Sequence, residues 1–175
     1  MKTKSIILIT FLSLSLFSCN VVDKLLTFTI SNQTSFKIST GFPLNLATEI
    51  ITPDVTTNSS SEFKNNNTKS DLVKDVKLKE LKLTITDPSD KTFTFLKSIR
   101  LYISTDGTDE IELAYSDDIN ATSNSIELTC TSQKLDKYIK APSYKIRTKA
   151  VIKETIIKDV IVKCDMKFKV TADPF

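Results

Sequence analysis

From Val160 to Val170 the chain alternates without interruption. Val160, Val162, Cys164, Met166, Phe168 and Val170 share one phase, against Ile161, Lys163, Asp165, Lys167 and Lys169. A period of two puts successive side chains on opposite faces, which a strand does and a helix cannot. An apolar face of that length has to be covered by a second apolar layer, so this stretch alone commits the chain to a packed sheet. It predicts a long last strand with Phe168 turned into the interior.

The same period recurs upstream. Leu26, Phe28 and Ile30 alternate with Thr27 and Thr29, and Phe36 and Ile38 with Lys37 and Ser39, while Asn32-Gln33-Thr34 predicts a turn between two strands. An apolar stretch from Leu44 to Thr52 is bounded by Pro43 and Pro53. Residues 53–68 are rich in Thr, Asn and Ser and predict a long surface loop, after which Thr68 or Ser70 could cap a turn through Asp71-Leu72-Val73. Val76 and Leu78 change parity to Leu81, Leu83 and Ile85, the mark of a bulge near Lys79-Glu80.

Asp87-Pro88-Ser89-Asp90 predicts a type I turn with Pro88 at its first central position. Phe93 and Phe95 then share a strand face ahead of Ile99, Leu101 and Ile103. Asp106-Gly107 closes a hairpin back to Ile111, Leu113 and Tyr115. Ile126, Leu128 and Cys130 form a short strand. Leu135, Tyr138 and Ile139 have helical spacing, one turn packed over an end of the sheets and stopped by Pro142. Tyr144, Ile146, Thr148 and Ala150 then share a phase against Lys145, Arg147 and Lys149. About eight or nine short strands with one helical turn predict an all-β fold over residues 25–175, an antiparallel, immunoglobulin-like β-sandwich, with a closed barrel as the alternative.

Composition removes several chemistries. There is no histidine, so the usual general base and the commonest metal ligand are missing, and with 2 glycines there is no glycine-rich phosphate cradle. Basic residues number 24 against 21 acidic. That excess is too small to argue for a nucleic-acid partner. No cofactor is expected.

The amino terminus carries a different signal. Lys2 and Lys4 precede an uncharged apolar run to Phe17, followed by Ser18 and Cys19. The run is shorter than the roughly 20 apolar residues of a spanning helix and reads as a secretory signal. Leu16-Phe17-Ser18-Cys19 resembles the lipobox of bacterial lipoproteins, with Phe17 departing from the small or aliphatic residue usual there. That resemblance implies a signal peptide over 1–18, lipid on Cys19, a tether over 19–24, and the cell envelope as location. The outer membrane is expected, with its periplasmic face slightly favoured because Asp23 is the only acidic residue soon after Cys19. The segment Val76–Thr86, followed by Phe93–Ile99 and the long last strand, is similar to small Bacteroidota lipoproteins that carry no assigned activity. No catalytic residue therefore comes with the likeness.

The expected function is a non-catalytic, lipid-anchored binding or structural module with an envelope protein as partner. A carrier of lipid or another apolar ligand between the sheets is the alternative, and a glycan-binding module or a carboxylate hydrolase is a lesser one. Cys130 and Cys164 are either bridged or plain core residues. Asp106, Asp109 and Glu110, or Asp117 and Asp118, are the nearest carboxylate groupings, each also at home in a turn. Tyr102 beside Arg100 is the best outward aromatic for a ligand. Lys145, Arg147 and Lys149, with Lys163, Lys167 and Lys169, would make one basic stripe if their strands were neighbours, or else a solvated face that discourages edge pairing.

Overall fold

The computed structural model describes residues 26–50 and 52–173. The expected signal peptide, the tether and Cys19 lie outside the described residues. The strands are β1 (Thr27–Ile38), β2 (Thr48–Ile50), β3 (Val55–Thr56), β4 (Val73–Asp87), β5 (Leu96–Ser104), β6 (Ile111–Ser116), β7 (Ser125–Glu127), β8 (Thr129–Cys130), β9 (Ser143–Ile152) and β10 (Val160–Ala172). The described residues also hold two short α-helices, α1 (Ser59–Asn65) and α2 (Asp136–Lys140).

One sheet runs β1-β10-β4-β7 and the other β2-β9-β5-β6-β8, with β3 also on β9, and all of these pairings are antiparallel. The fold is a two-sheet β-sandwich. Both sheets keep open edges, so the barrel alternative is excluded.

β10 lies between β1 and β4 and buries every second residue from Val160 to Ala172, as its alternation demands. Phe168 is fully buried and meets Tyr144 of β9 edge-on across the sandwich, ring centroids 6.3 Å apart. Burying one such side chain contributes roughly 1.5–3 kcal/mol. The bulge is where the parity change places it. Lys167 pairs with Glu80 and Phe168 with Leu78, leaving Lys79 as the extra residue that restores the buried phase.

Several local expectations are corrected. Residues 27–38 form one unbroken strand, and Asn32 and Thr34 stay in the inward phase instead of turning. Asn32 is tolerated inside because its amide donates to Asn58 Oδ1 at 3.1 Å and its Oδ1 accepts from the Tyr144 hydroxyl at 3.3 Å. Tertiary partners override a turn propensity there. The stretch 53–68 holds β3 and α1, whose Ser59 and Phe63, four apart, face inward, and Phe63 meets Phe28 edge-on at 6.2 Å.

Ser70–Leu72 is a 3₁₀ turn with Lys69 at its cap position and no side-chain cap from Thr68 or Ser70. The turn after β4 is Pro88–Lys91, with Ser89 and Asp90 central and Lys91 N–H donating to Pro88 C=O at 3.1 Å; the Asp87–Pro88 bond is cis. Phe93–Phe95 is a 3₁₀ turn, not strand, yet both rings are buried. The segment through Ile126, Leu128 and Cys130 divides between the sheets, β7 on β4 and β8 on β6.

Other expectations hold. Leu135, Tyr138 and Ile139 are the buried residues of the turn at α2. That turn is tied to β4 by Leu135 N–H donating to Val76 C=O at 2.8 Å and by Lys140 Nζ reaching Val73 C=O at 2.9 Å. Asp106-Gly107 sits in the β5–β6 loop, where Gly107 takes φ +88°, a left-handed conformation that glycine adopts without strain.

Candidate functional site

The outward residues of β5, β6 and β9 form the most elaborated surface. Alternation sends Ile99, Leu101 and Ile103 inward, so Arg100 and Tyr102 emerge on the far side of β5. Register then sets Arg100 between Tyr115 and Lys149, and Tyr102 between Glu112 and Arg147. Arg147 donates from Nε to Glu110 Oε2 at 2.6 Å, from Nη2 to Glu110 Oε1, and from Nη1 to Glu49 Oε1 at 2.8 Å. Its guanidinium carbon lies 4.4 Å from the centre of the Tyr102 ring. Arg100 donates to Glu112 at 2.6 Å and Asp117 at 2.5 Å and sits 5.1 Å from the Tyr115 ring centre. The Arg147 guanidinium holds Glu110 below the usual carboxylate range, and the hydrogen-bonded carboxylates raise both arginines.

This geometry changes the reading of Tyr102. Its ring is already stacked under Arg147, so the ring face nearest that arginine is occupied by the protein itself. The arrangement makes a pre-ordered, charge-balanced surface rather than a bare aromatic platform.

The single basic stripe is not formed. Lys145, Arg147 and Lys149 ride on β9 in one sheet, and Lys163, Lys167 and Lys169 on β10 in the other. Most are neutralised locally: Lys149 by Glu49 at 3.7 Å, Lys163 by Asp165 at 2.9 Å and Lys167 by Glu80 at 3.0 Å. Only Lys145 and Lys169 of the six are without an acidic partner among the described residues. Both strands are also internal to their sheets, so their lysines guard no edge.

The carboxylates are likewise engaged. Asp109 accepts from Thr105 N–H and hydroxyl at 2.8 and 2.7 Å and pairs with Lys137 at 2.6 Å, which draws its carboxyl well below the ordinary value. Asp106 accepts from Thr108 N–H and hydroxyl, and Asp118 from Asn120. Tyr138 donates to Asp109 C=O at 2.6 Å, fastening the loop to α2. These groups shape and hold a loop. Among the described residues no three His, Cys, Asp or Glu side chains gather closely enough to hold a metal ion.

Cys130 and Cys164 are free thiols, so the disulfide reading falls. Cys164 points into the core from β10, where burial pushes its thiol up to about 12; Cys130 is half-buried on β8, and burial raises it too. Neither environment favours the reactive thiolate.

The interior is one continuous apolar cluster drawn from both sheets, both helices and their connections. Open grooves lie outside it. One, of about 410 Å³, crosses the outer face of the four-stranded sheet past Glu80, Lys82, Asp165 and Lys167. A second, of about 480 Å³, lies between Lys37 at the end of β1 and β2, floored by Phe42 and Ile50. No described helix is long and apolar enough to cross a membrane.

Sequence reasoning missed the edge of β1, because Asn32-Gln33-Thr34 reads as a turn. The signal that could have found it is the unbroken parity from Leu26 to Ile38.

No family model and no curated protein matches this chain. Among solved structures it is similar to the acidic stable capsid structure of Helicobacter pylori bacteriophage KHP30, with TM-score 0.36, 7% identity, and coverage of 85% of this chain and 99% of that one. It is also similar to Desmodium yellow mottle tymovirus, with TM-score 0.29, 10% identity, and coverage of 85% and 90%.

Proposed function

We propose that this protein is a non-catalytic lipoprotein of the cell envelope, held to the outer membrane by lipid on Cys19, facing the periplasm, and acting as a binding or structural module for an envelope protein. The observation that supports a module over a carrier is the filled interior. A carrier needs some hundreds of Å³ of apolar cavity between its sheets, whereas here large side chains such as Phe168, Tyr144, Phe93 and Leu101 occupy that space and the grooves are open and at the surface. The Arg–carboxylate–Tyr surface on β5, β6 and β9 supplies ordered polar groups of the kind that fix a partner's orientation.

The anchor follows from the lipobox-like Leu16–Cys19. A single acyl chain binds a membrane marginally and reversibly, and two or more hold it stably. In a bacterial host fed an alkyne fatty acid, the wild-type chain should take up label and partition into detergent. Cys19→Ala should do neither and accumulate as precursor. Label retained on Cys19→Ala would overturn the anchor.

A further inference from the structure

Among the described strands five limit the sheets at their edges, and four of them are very short: β7, β2, β3 and β8 have 3, 3, 2 and 2 residues. The fifth, β1, has 12 and, of the described strands, hydrogen-bonds only to β10, in one register without a bulge. Proteins ordinarily blunt a long edge with lysines, proline or bulges. β1 has no proline and no bulge, and its one charge is Lys37, near the end.

Its hydrogen-bonding side can be assigned. Leu26 C=O accepts from Ala172 N–H, so that pair, and every second pair after it, bonds toward β10. The N–H and C=O of Thr29, Ser31, Gln33, Ser35 and Lys37 then point to the free edge. All five residues are exposed, and no described group bonds to those atoms.

We propose that this edge pairs with the β1 of a second copy, antiparallel and centred on Gln33, so that the two four-stranded sheets become one. Three features favour a second copy. In antiparallel pairing about Gln33, Lys37 faces Thr29 of the other copy, and the two lysines lie eight residues, about 26 Å, apart, beyond the roughly 8 Å screening length of physiological salt. Parallel in-register pairing would set them about 5 Å apart. The outward residues that meet across the seam are Ser31 with Ser35, Gln33 with Gln33, and Thr29 with Lys37, all free of like charge.

Third, the two-fold axis sets a projection of one copy at the level of an opening on the other. α1 packs beside β1 at Phe28 and Asn32. Rotation about Gln33 carries it to the level of residues 34–38 of the other copy, beside the groove at Lys37, Phe42 and Ile50. An isologous contact is the form that closes at a dimer instead of growing into a fibre.

Sedimentation equilibrium of the full chain in neutral detergent tests this. Wild type should sediment at twice the chain mass of 19.6 kDa. Gln33→Pro, which an edge strand tolerates where its N–H faces outward, should raise the dissociation constant at least tenfold and melt like wild type at concentrations where both are monomeric. Ser31→Lys with Ser35→Lys sets like charges directly across the seam and should do the same, while Ser31→Lys with Ser35→Asp should restore the dimer. A chain that stays monomeric at millimolar concentration, a dimer indifferent to all three variants, or a monomer that instead retains an extended segment of a different protein would overturn self-pairing.

Discussion

Thr148 of β9 is fully buried, and its hydroxyl finds no hydrogen-bond partner among the described residues. A buried hydroxyl without a partner costs roughly 1–3 kcal/mol, and valine has nearly its shape without that group. Thr148→Val should therefore stabilise the protein by about 1 kcal/mol, read as a higher urea midpoint at unchanged slope. A lower midpoint would mean that a buried water satisfies the hydroxyl. Asp109 behaves in the opposite sense. Lys137 and then Thr105 depress its carboxyl, so the folded state binds its proton less readily than the unfolded chain. The stability this adds is present above the unfolded value of 3.8 and drains away as pH falls below it. Asp109→Asn should lower the melting temperature at neutral pH and lose less of it than wild type between about pH 5 and about pH 2. Parallel melting curves for the two proteins across that range would contradict this account.

At the scale of elements, β10 is where sequence and structure agree most closely. Phe168→Lys should abolish the cooperative unfolding transition, because the ammonium would enter the contact with Tyr144 without a counter-charge. Phe168→Ala, which leaves only a cavity, should cost about 4 kcal/mol and keep the fold. Wild-type stability in the lysine variant would mean the strand can slip by one residue. The phase of β10, the bulge at Lys79, the inward set on β9 and the turn at α2 were all readable because each rests on several consecutive residues sharing one face. β1 reads from sequence as two strands because Asn32 and Thr34 are polar, and nothing local announces that Asn58 and Tyr144 wait across the interior to bond Asn32. The division of Ile126–Cys130 between two sheets was likewise invisible, since alternation fixes a strand's faces but not which neighbour takes its hydrogen bonds. The surface followed the same rule. That Arg100, Tyr102 and Arg147 point outward was legible, but their association with Glu110, Glu112, Asp117 and Glu49 depends on strand order, as does the separation of the β9 and β10 lysines.

At the scale of the molecule, the order of strands along the chain is far from their order in space. β10, last among the described strands, is flanked by β1, the first, and by β4. Sheet one thus lacks its central member until residues 160–172 are present, and until then Ile30, Phe36, Leu81 and Leu83 face a gap. Pairing partners separated by more than a hundred residues also carry a closure entropy that only the finished interface offsets. The chain should accordingly behave as one cooperative unit with no stable fragment. Ending it after Lys163 deletes most of β10 and should give a protein without a melting transition that is rapidly digested by protease. Ending it after Asp173 leaves β10 whole, with Asp173 N–H still donating to Leu72 C=O at 2.8 Å, and should melt like the full chain. Were the shorter fragment to keep a protease-resistant six-stranded half, the two sheets would be separable folding units, and the shared apolar interior would not be what holds them together.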